Sequence, residues 1–473
     1  MTLFRGRRAA ATALAVSAVL FGGVAAQAAP SGASTRLADS LRQAVDAQNF
    51  KDVIDLTPPE PNGQSRHAAV AEKYDPTTMP VAKRVFGPMA TPQPIHQTPN
   101  MDAAVIELDD AGRPTAMADV LLSPQYPHGV TVPLNQRQLA TDQVRYRWWD
   151  DNEWDANGGK GTRDVLPGRE NAALDFSSPY PASVLKLMVG FGIMRLSDQH
   201  VIDLDSVYDY RPVTINPTCG EATSEPIRQY FDEMITMSKN ESTCALIKLL
   251  HDKNYIDTLN ATFRQLGMAT LMITGTDPNN GGHWIGSNMS SVDTAKLLLI
   301  VNGGPGTLWT NADGSRVTRD VLSASARQLY LQTLGNQGHN EMLSTTNWCG
   351  RDYPAPGIPQ VTPQRWINPD DGTMDVGGLY YGQDVRPCNA AAEVTMAHKT
   401  GWVDTTGSDA AIVHSLPGKA KRNYIAVVFC NLGTDYVDVN RPADPPGVYP
   451  VPYTQKYGQL GKAVDGIVTG LQR

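Results

Sequence analysis

The stretch Pro181-Ala182-Ser183-Val184-Leu185-Lys186 decides the reading of this chain. A serine and a lysine three apart at a helix start lie on one face, one turn from each other. A serine hydroxyl is a poor nucleophile until a base takes its proton, and a lysine kept neutral by burial can be that base. The helix N-terminus adds backbone dipole near the reacting oxygen. Residues 182 to 196 are apolar on nearly every face (Val184, Leu185, Leu187, Met188, Val189, Phe191, Ile193, Met194), which predicts a buried helix. Taken alone, the pair reads more readily as a capping serine beside a snorkelling lysine. Its chemical meaning depends on what else the chain brings.

Two further motifs follow it. Met237-Ser238-Lys239-Asn240 precedes an apolar run from Cys244 to Leu250. A hydroxyl and an amide two apart point into one cleft if the backbone turns at a helix start, although serine and asparagine are also ordinary turn residues. His398-Lys399-Thr400-Gly401-Trp402 ends a strand-like run. Lys399 offers a cation for a carboxylate, Thr400 a hydroxyl, and Gly401 close backbone approach. A surface turn accounts for that tripeptide alone just as simply.

The rest of the sequence sets the frame. The chain has 473 residues, 41% of them apolar and 19% charged, the balance of a globular protein with a sizeable core. Its 41 glycines and 34 prolines predict long loops, and its net charge of −8 argues against a nucleic-acid partner. Arg5, Arg7 and Arg8, an apolar run from Ala9 to Ala26, and Ala26-Gln27-Ala28 form the pattern of a signal peptide over residues 1–28. The alanines after Arg7-Arg8 favour general secretory export over the twin-arginine route. A secreted monomer without a stable membrane anchor is expected. In that compartment the cysteines oxidise, and local pairing predicts Cys219 with Cys244 and Cys349 with Cys388, leaving Cys430 as a buried thiol. No two cysteines have zinc-knuckle spacing and no His-x-x-x-His pair occurs, so neither a metal nor another cofactor is expected.

Residues 29–101 read as an N-terminal extension: one amphipathic stretch, Leu37 to Phe50, then a Pro-rich segment. Residues 103–109 and 114–122 form a hairpin about the Asp110-Ala-Gly112 turn. Helical patterns follow at 226–237, 242–251, 256–266 and 291–302, then strands at 393–399, 409–415 and 424–431, and a closing helix at 459–471. Insertions without clear period occupy about 124–172 and 345–390. Strands first, helices in the middle, strands and a helix last predict an α+β fold: an antiparallel sheet flanked by helices, with an all-helical lobe over about 182–345 inserted between sheet portions 102–181 and 391–473.

Ser-x-x-Lys, Ser-x-Asn and Lys-Thr-Gly in this order resemble the three-motif signature of the serine β-lactamases and penicillin-binding proteins. The class A branch is the nearest likeness. Ser290-Ser-Val-Asp-Thr-Ala-Lys-Leu-Leu-Leu is similar to the helix after its Ω-loop, and Asp409-Ala-Ala-Ile-Val to its later strands. The resemblance implies a β-lactamase/transpeptidase-like domain over 102–473. It implies Ser183 as acylated nucleophile, Lys186 as base or proton relay, and Ser238 as proton donor to the leaving nitrogen. Asn240 would bind a substrate amide, Lys399 and Thr400 a carboxylate, and the backbone N–H groups of Ser183 and Trp402 the oxyanion. The implied partner is a small β-lactam or a D-Ala-D-Ala-like peptide.

The chain departs from the pattern in three places. Lys239 stands where the family has a structural carboxylate. The family's Ω-loop glutamate, followed four residues later by asparagine, is missing from Thr274-Gly-Thr-Asp277-Pro-Asn-Asn280-Gly-Gly-His283, which leaves Asp277 as a shortened analogue or an Asp-Pro turn. Trp402 replaces a small hydroxyl residue and either reshapes the substrate edge or packs. Three outcomes therefore stay open: β-lactamase-type hydrolysis, D-alanyl-D-alanine peptidase or transpeptidase chemistry, and a slowly acylated or inactive penicillin-binding module.

Overall fold

Strands buried on both faces read as near-continuous apolar runs, and Ala103-Ala-Val-Ile106 is such a run. In the computed structural model, which describes residues 32–58, 92–344, 356–381, 383–439 and 453–471, it is a central strand of a six-stranded antiparallel sheet. The strands are β1 (Met101–Leu108), β2 (Pro114–Ser123), β3 (Tyr126–Thr131), β4 (Val394–Val403), β5 (Thr406–Ser415) and β6 (Asn423–Cys430). Their order across the sheet is β4-β5-β6-β1-β2-β3. Alternation assigns Ala104, Ile106, Ala410, Ile412 and Val427 to one face and Ala103, Val105, Ala411, Val413 and Val428 to the other.

The first face is covered by the helical lobe: α2 (Lys186–Asp198), α3 (Ile227–Thr236), α4 (Asn240–Asp252), α5 (Ile256–Gln265), α6 (Ser291–Asn302) and α7 (Ala324–Gly335). The second is covered by α1 (Gly32–Ala47) and α8 (Lys456–Leu471). The fold is therefore α+β: an antiparallel sheet flanked by helices, with the helical lobe on one face. No helix among the described residues is long and apolar enough to cross a membrane. The signal-peptide reading and Cys349 fall outside the described residues.

The expected extension is part of this body rather than an appendage. Leu37, Leu41 and Val45 of α1 are buried against the sheet and α8, and Val53–Asp55 pairs with both Tyr436–Asp438 and Gln93–Pro94. The first insertion begins with strand β3, whose missing alternation has a physical reason. It is a partly exposed edge strand, where Pro127 forfeits no needed ladder bond.

One polar cluster lies deep between sheet and lobe. Ser291, at the start of α6, donates its hydroxyl to Asp102 and its N–H to Asp102 Oδ2 at 3.0 Å, with Asp119 Oδ1 3.1 Å from the hydroxyl. A carboxylate suits a helix N-terminus. Burial pushes both aspartates up, Asp119 further because Asp102 adds its charge. The pair ties α6 to strands β1 and β2.

Candidate active site

Ser183 stands on a single 3-10 turn, Ala182–Leu185, and the α-helix begins only at Lys186. The sequence pattern had the helix opening at Ala182. The turn is tight because Ala182 takes a left-handed conformation (φ +48°), which a residue with a Cβ adopts only under tertiary constraint. That constraint is visible. Ser408 on β5 donates to the Pro181 carbonyl at 2.8 Å, and a Cβ on Gly401 would fall 2.7 Å from the Ser183 nitrogen. Only glycine lets β4 approach the serine turn so closely.

Lys186 is fully buried, and its Nζ gathers the other motifs. It lies 3.0 Å from Ser183 Oγ, 2.9 Å from Asn240 Oδ1, and 2.5 and 3.0 Å from the carbonyl and hydroxyl oxygens of Ser238. The Ser238 carbonyl and the Asn240 amide oxygen only accept, so each takes an N–H. A neutral amine then has its lone pair left for the Ser183 hydroxyl, which is the arrangement of a base taking the serine proton. Burial first, and then the charge of Lys399, holds the Lys186 amine well below the usual lysine range.

Lys399, also fully buried, places Nζ 3.0 Å from the same Ser238 Oγ and 2.7 Å from the Thr400 carbonyl. Burial pushes it down to about 7, with Asp409 and Glu341 acting in the opposite direction. Two cations flanking one hydroxyl disfavour each other. Asp409, the leading carboxylate influence on Lys399, favours the charge there and leaves Lys186 the neutral partner.

Ser238 is left-handed too (φ +56°). Its turn is held by the residue that broke the pattern. Lys239 pairs with Glu233 Oε2 at 2.8 Å, and the same oxygen accepts the Ser242 hydroxyl at 2.6 Å. The tie expected of a carboxylate at this position is thus made with its charges inverted. Asn240 is exposed at the start of α4. Thr400 is nearly buried and donates its hydroxyl to the His339 carbonyl at 3.3 Å. Trp402 packs with the core on the α1/α8 side of the sheet, so its indole is a packing group.

Asp277 does not join the cluster. Its carboxylate accepts from the Asn279 backbone at 2.8 Å, the Asn279 and Asn280 amides at 2.9 Å and the Thr214 hydroxyl at 3.4 Å. The Asn279 N–H above all holds it below the ordinary carboxylate range. This loop instead presents Trp284, whose ring centroid lies 5.8 Å from Lys186 Nζ. Nothing in the sequence singled out Trp284 beyond its place just after Gly-Gly-His. The loop is stapled from beneath: Cys219 and Cys244 are bonded as expected, and a Cβ on Gly282 would fall 3.1 Å from Cys219 Sγ. Cys388 is disulfide-bonded as well, and Cys430 is a buried free thiol.

A buried lysine beside a half-buried serine, with a second serine and lysine behind it, has the makings of a serine acyl-transfer site. Residues 163–347 match the model of the beta-lactamase enzyme family, a stretch that contains Ser183, Lys186, Ser238 and Asn240 and ends before Lys399. The family match thus covers the helical-lobe part of the chain and its first two motifs. Among solved structures it is similar to PBP-A, at 16% identity over 80% of this chain and 90% of that one, TM-score 0.40. A β-lactamase from Chitinophaga pinensis shares 17% identity over 62% of this chain and 84% of its own, TM-score 0.35. One from Sphaerobacter thermophilus shares 16% over 62% and 83%, TM-score 0.36. No curated protein matches the chain.

Proposed function

We propose that the protein is a secreted serine hydrolase that is acylated at Ser183 by a cyclic amide, in the manner of a β-lactamase. The supporting observation is the 3.0 Å contact of Lys186 Nζ with Ser183 Oγ inside a buried lysine pair. Ser183 Oγ attacks the substrate carbonyl carbon while its proton passes to Lys186 Nζ. The carbon–nitrogen bond then breaks, and Ser238 hands a proton to the leaving nitrogen, drawing it in turn from the lysines on either side. The Ser183 and Trp402 N–H groups would hold the oxyanion, an interaction worth about 3 kcal/mol per donor in comparable sites. Asn240 would bind a substrate amide, and Lys399 and Thr400 its carboxylate. Thr400 must first turn its hydroxyl from the His339 carbonyl. Water finally cleaves the ester, returning Ser183–OH and a free acid. Export rests on the signal pattern of residues 1–28.

One observation favours a second reading, a D-alanyl-D-alanine peptidase whose acyl-enzyme is released slowly or passed to an amine. The Asp277 carboxylate is engaged in its own turn, and the loop sets the Trp284 ring 5.8 Å from Lys186 Nζ. Intact-mass spectrometry over time after mixing with a penicillin tests both. Mass gain that disappears with turnover supports hydrolysis, and a persistent stoichiometric adduct supports the peptidase. No adduct on the wild type, or an equal adduct on Ser183→Ala, removes the acylation reading.

A further inference from the structure

The second insertion reaches the underside of the cleft. Its hairpin, Met374–Val376 with Leu379–Tyr381, lies on the segment following α7. A Cβ on Gly338 would fall 2.4 Å from Val376 Cγ1, and one on Gly377 would touch Met237 at 3.5 Å. The Trp366 indole donates to the Asn336 carbonyl at 2.8 Å. The hairpin is therefore seated one residue away from Ser238.

Tyr381 continues this contact inward as a hydrogen-bonded chain. Its hydroxyl oxygen lies 2.7 Å from Glu341 Oε1 and 3.0 Å from His339 Nδ1, and His339 Nε2 lies 2.9 Å from the Met237 carbonyl oxygen. Tyr381, His339 and Glu341 are 1%, 4% and 0% exposed, so solvent cannot repair a mismatch among them. A carbonyl oxygen only accepts, so Nε2 must carry a proton. Two arrangements complete the chain. Either a protonated Glu341 donates to the Tyr381 hydroxyl, which donates to Nδ1, or a doubly protonated His339 donates to the hydroxyl, which donates to a Glu341 carboxylate.

Both arrangements need one proton shared between Glu341 and His339. Without it, Nδ1 and the carboxylate compete for the single tyrosine proton. Burial favours the first arrangement, raising Glu341 to about 7 and lowering His339 to about 3. The facing charges mostly agree. Lys399, Lys186 and His398 oppose a charged His339, and Asp409 opposes an ionised Glu341, while Lys399 pulls Glu341 the other way.

We propose that Tyr381 is a positioning residue of the cleft: the chain Glu341–Tyr381–His339 carries one proton and holds the Met237 carbonyl, fixing the left-handed turn on which Ser238 stands between its two lysines. The His339 carbonyl also accepts the Thr400 hydroxyl, so the same residue bears on the end of β4. The proposal rests on the acylation reading above and extends the site to the second insertion.

The test measures penicillin acylation rates at pH 6 in the full chain, with melting curves to confirm folding. Tyr381→Phe leaves Nδ1 and the acid unpartnered and lowers the rate about tenfold, the size of one broken buried link. Glu341→Gln reproduces the donating face of the protonated acid and stays within about twofold of wild type. An undiminished Tyr381→Phe, or a Glu341→Gln as impaired as Tyr381→Phe, overturns the proposal. Nitrogen-15 histidine NMR reads the chain without any substrate. A His339 Nε2–H tautomer in the wild type supports it, and an Nδ1–H tautomer there overturns it. If the wild type takes no acyl group at all, the acylation reading fails on its own and the tautomer still decides the chain.

Discussion

Two serine hydroxyls in this protein each stand between a buried pair of like-charged side chains. Ser238 Oγ lies 3.0 Å from both Lys186 and Lys399, and Ser291 Oγ bridges Asp102 and Asp119. In both places burial acts against two full charges, downward on the lysines and upward on the aspartates. A proton is lost from one pair and gained by the other. What separates them is access. The lysine pair lies beside the half-buried Ser183 and the exposed Asn240, whereas Asp102, Asp119 and Ser291 are sealed between strands and helix. The same electrostatic device yields a reactive amine where a nucleophile and a substrate can reach it, and a structural tie where they cannot.

The largest test of this contrast removes the base. Lys186→Met should lower the penicillin acylation rate by about 10²- to 10⁴-fold, the range for a positioned proton acceptor, with little change in melting temperature. A loss smaller than tenfold would show that the pair is structural at both sites. Asp102→Ala should do the converse. It strands the Ser291 N–H, leaves the hydroxyl only Asp119, and costs about 2 kcal/mol in urea unfolding, while acylation per folded molecule is unchanged.

The pH dependence separates the pairs further. Lys399 in the free protein is a cation below about 7 and loses its charge as pH rises through that value. For an anionic substrate, kcat/KM should fall across that window, about tenfold per pH unit once the cation is the minor form. A profile flat from pH 6 to 9 removes Lys399 from carboxylate binding. The smallest effect belongs to Asp119. Its folded value lies well above the ordinary 3.8, so its protonated form favours the fold below 3.8 and that contribution is lost as pH rises through the raised value. Asp119→Asn should flatten this part of the stability–pH curve, measured by urea unfolding at pH 5 and pH 8.

The legible part of the site was carried by residue type and order. Ser183, Lys186, Ser238, Asn240 and Lys399 were named from the three motifs, and the structure brings all five into one hydrogen-bonded cluster. The lobe was legible because its helices repeat an apolar face at helical spacing, and α4, α5 and α6 fall within two residues of the expected bounds. What stayed hidden came from contacts distant in sequence. The left-handed turns at Ala182 and Ser238 have no local signature, since neither residue prefers that conformation. Trp284 and Tyr381 are single aromatics in stretches without period, and only the folded chain sets them beside Lys186 and His339. An amphipathic stretch at Leu37 to Phe50 was foreseen where the helix Gly32–Ala47 forms, but its docking on the sheet depends on α8, more than 400 positions away in the chain.

The Lys239–Glu233 pair carries a consequence for heredity. If that position needs a tether rather than a particular sign, the two residues are free to trade charges but not to change one at a time. Lys239→Asp alone would set two acids against each other and loosen the Ser238 turn, and Glu233→Lys added to it would restore the turn. Among descendants of a common ancestor these two sites should then flip together. A search that insists on an acid between the serine and the asparagine would pass over every lineage that had made the exchange.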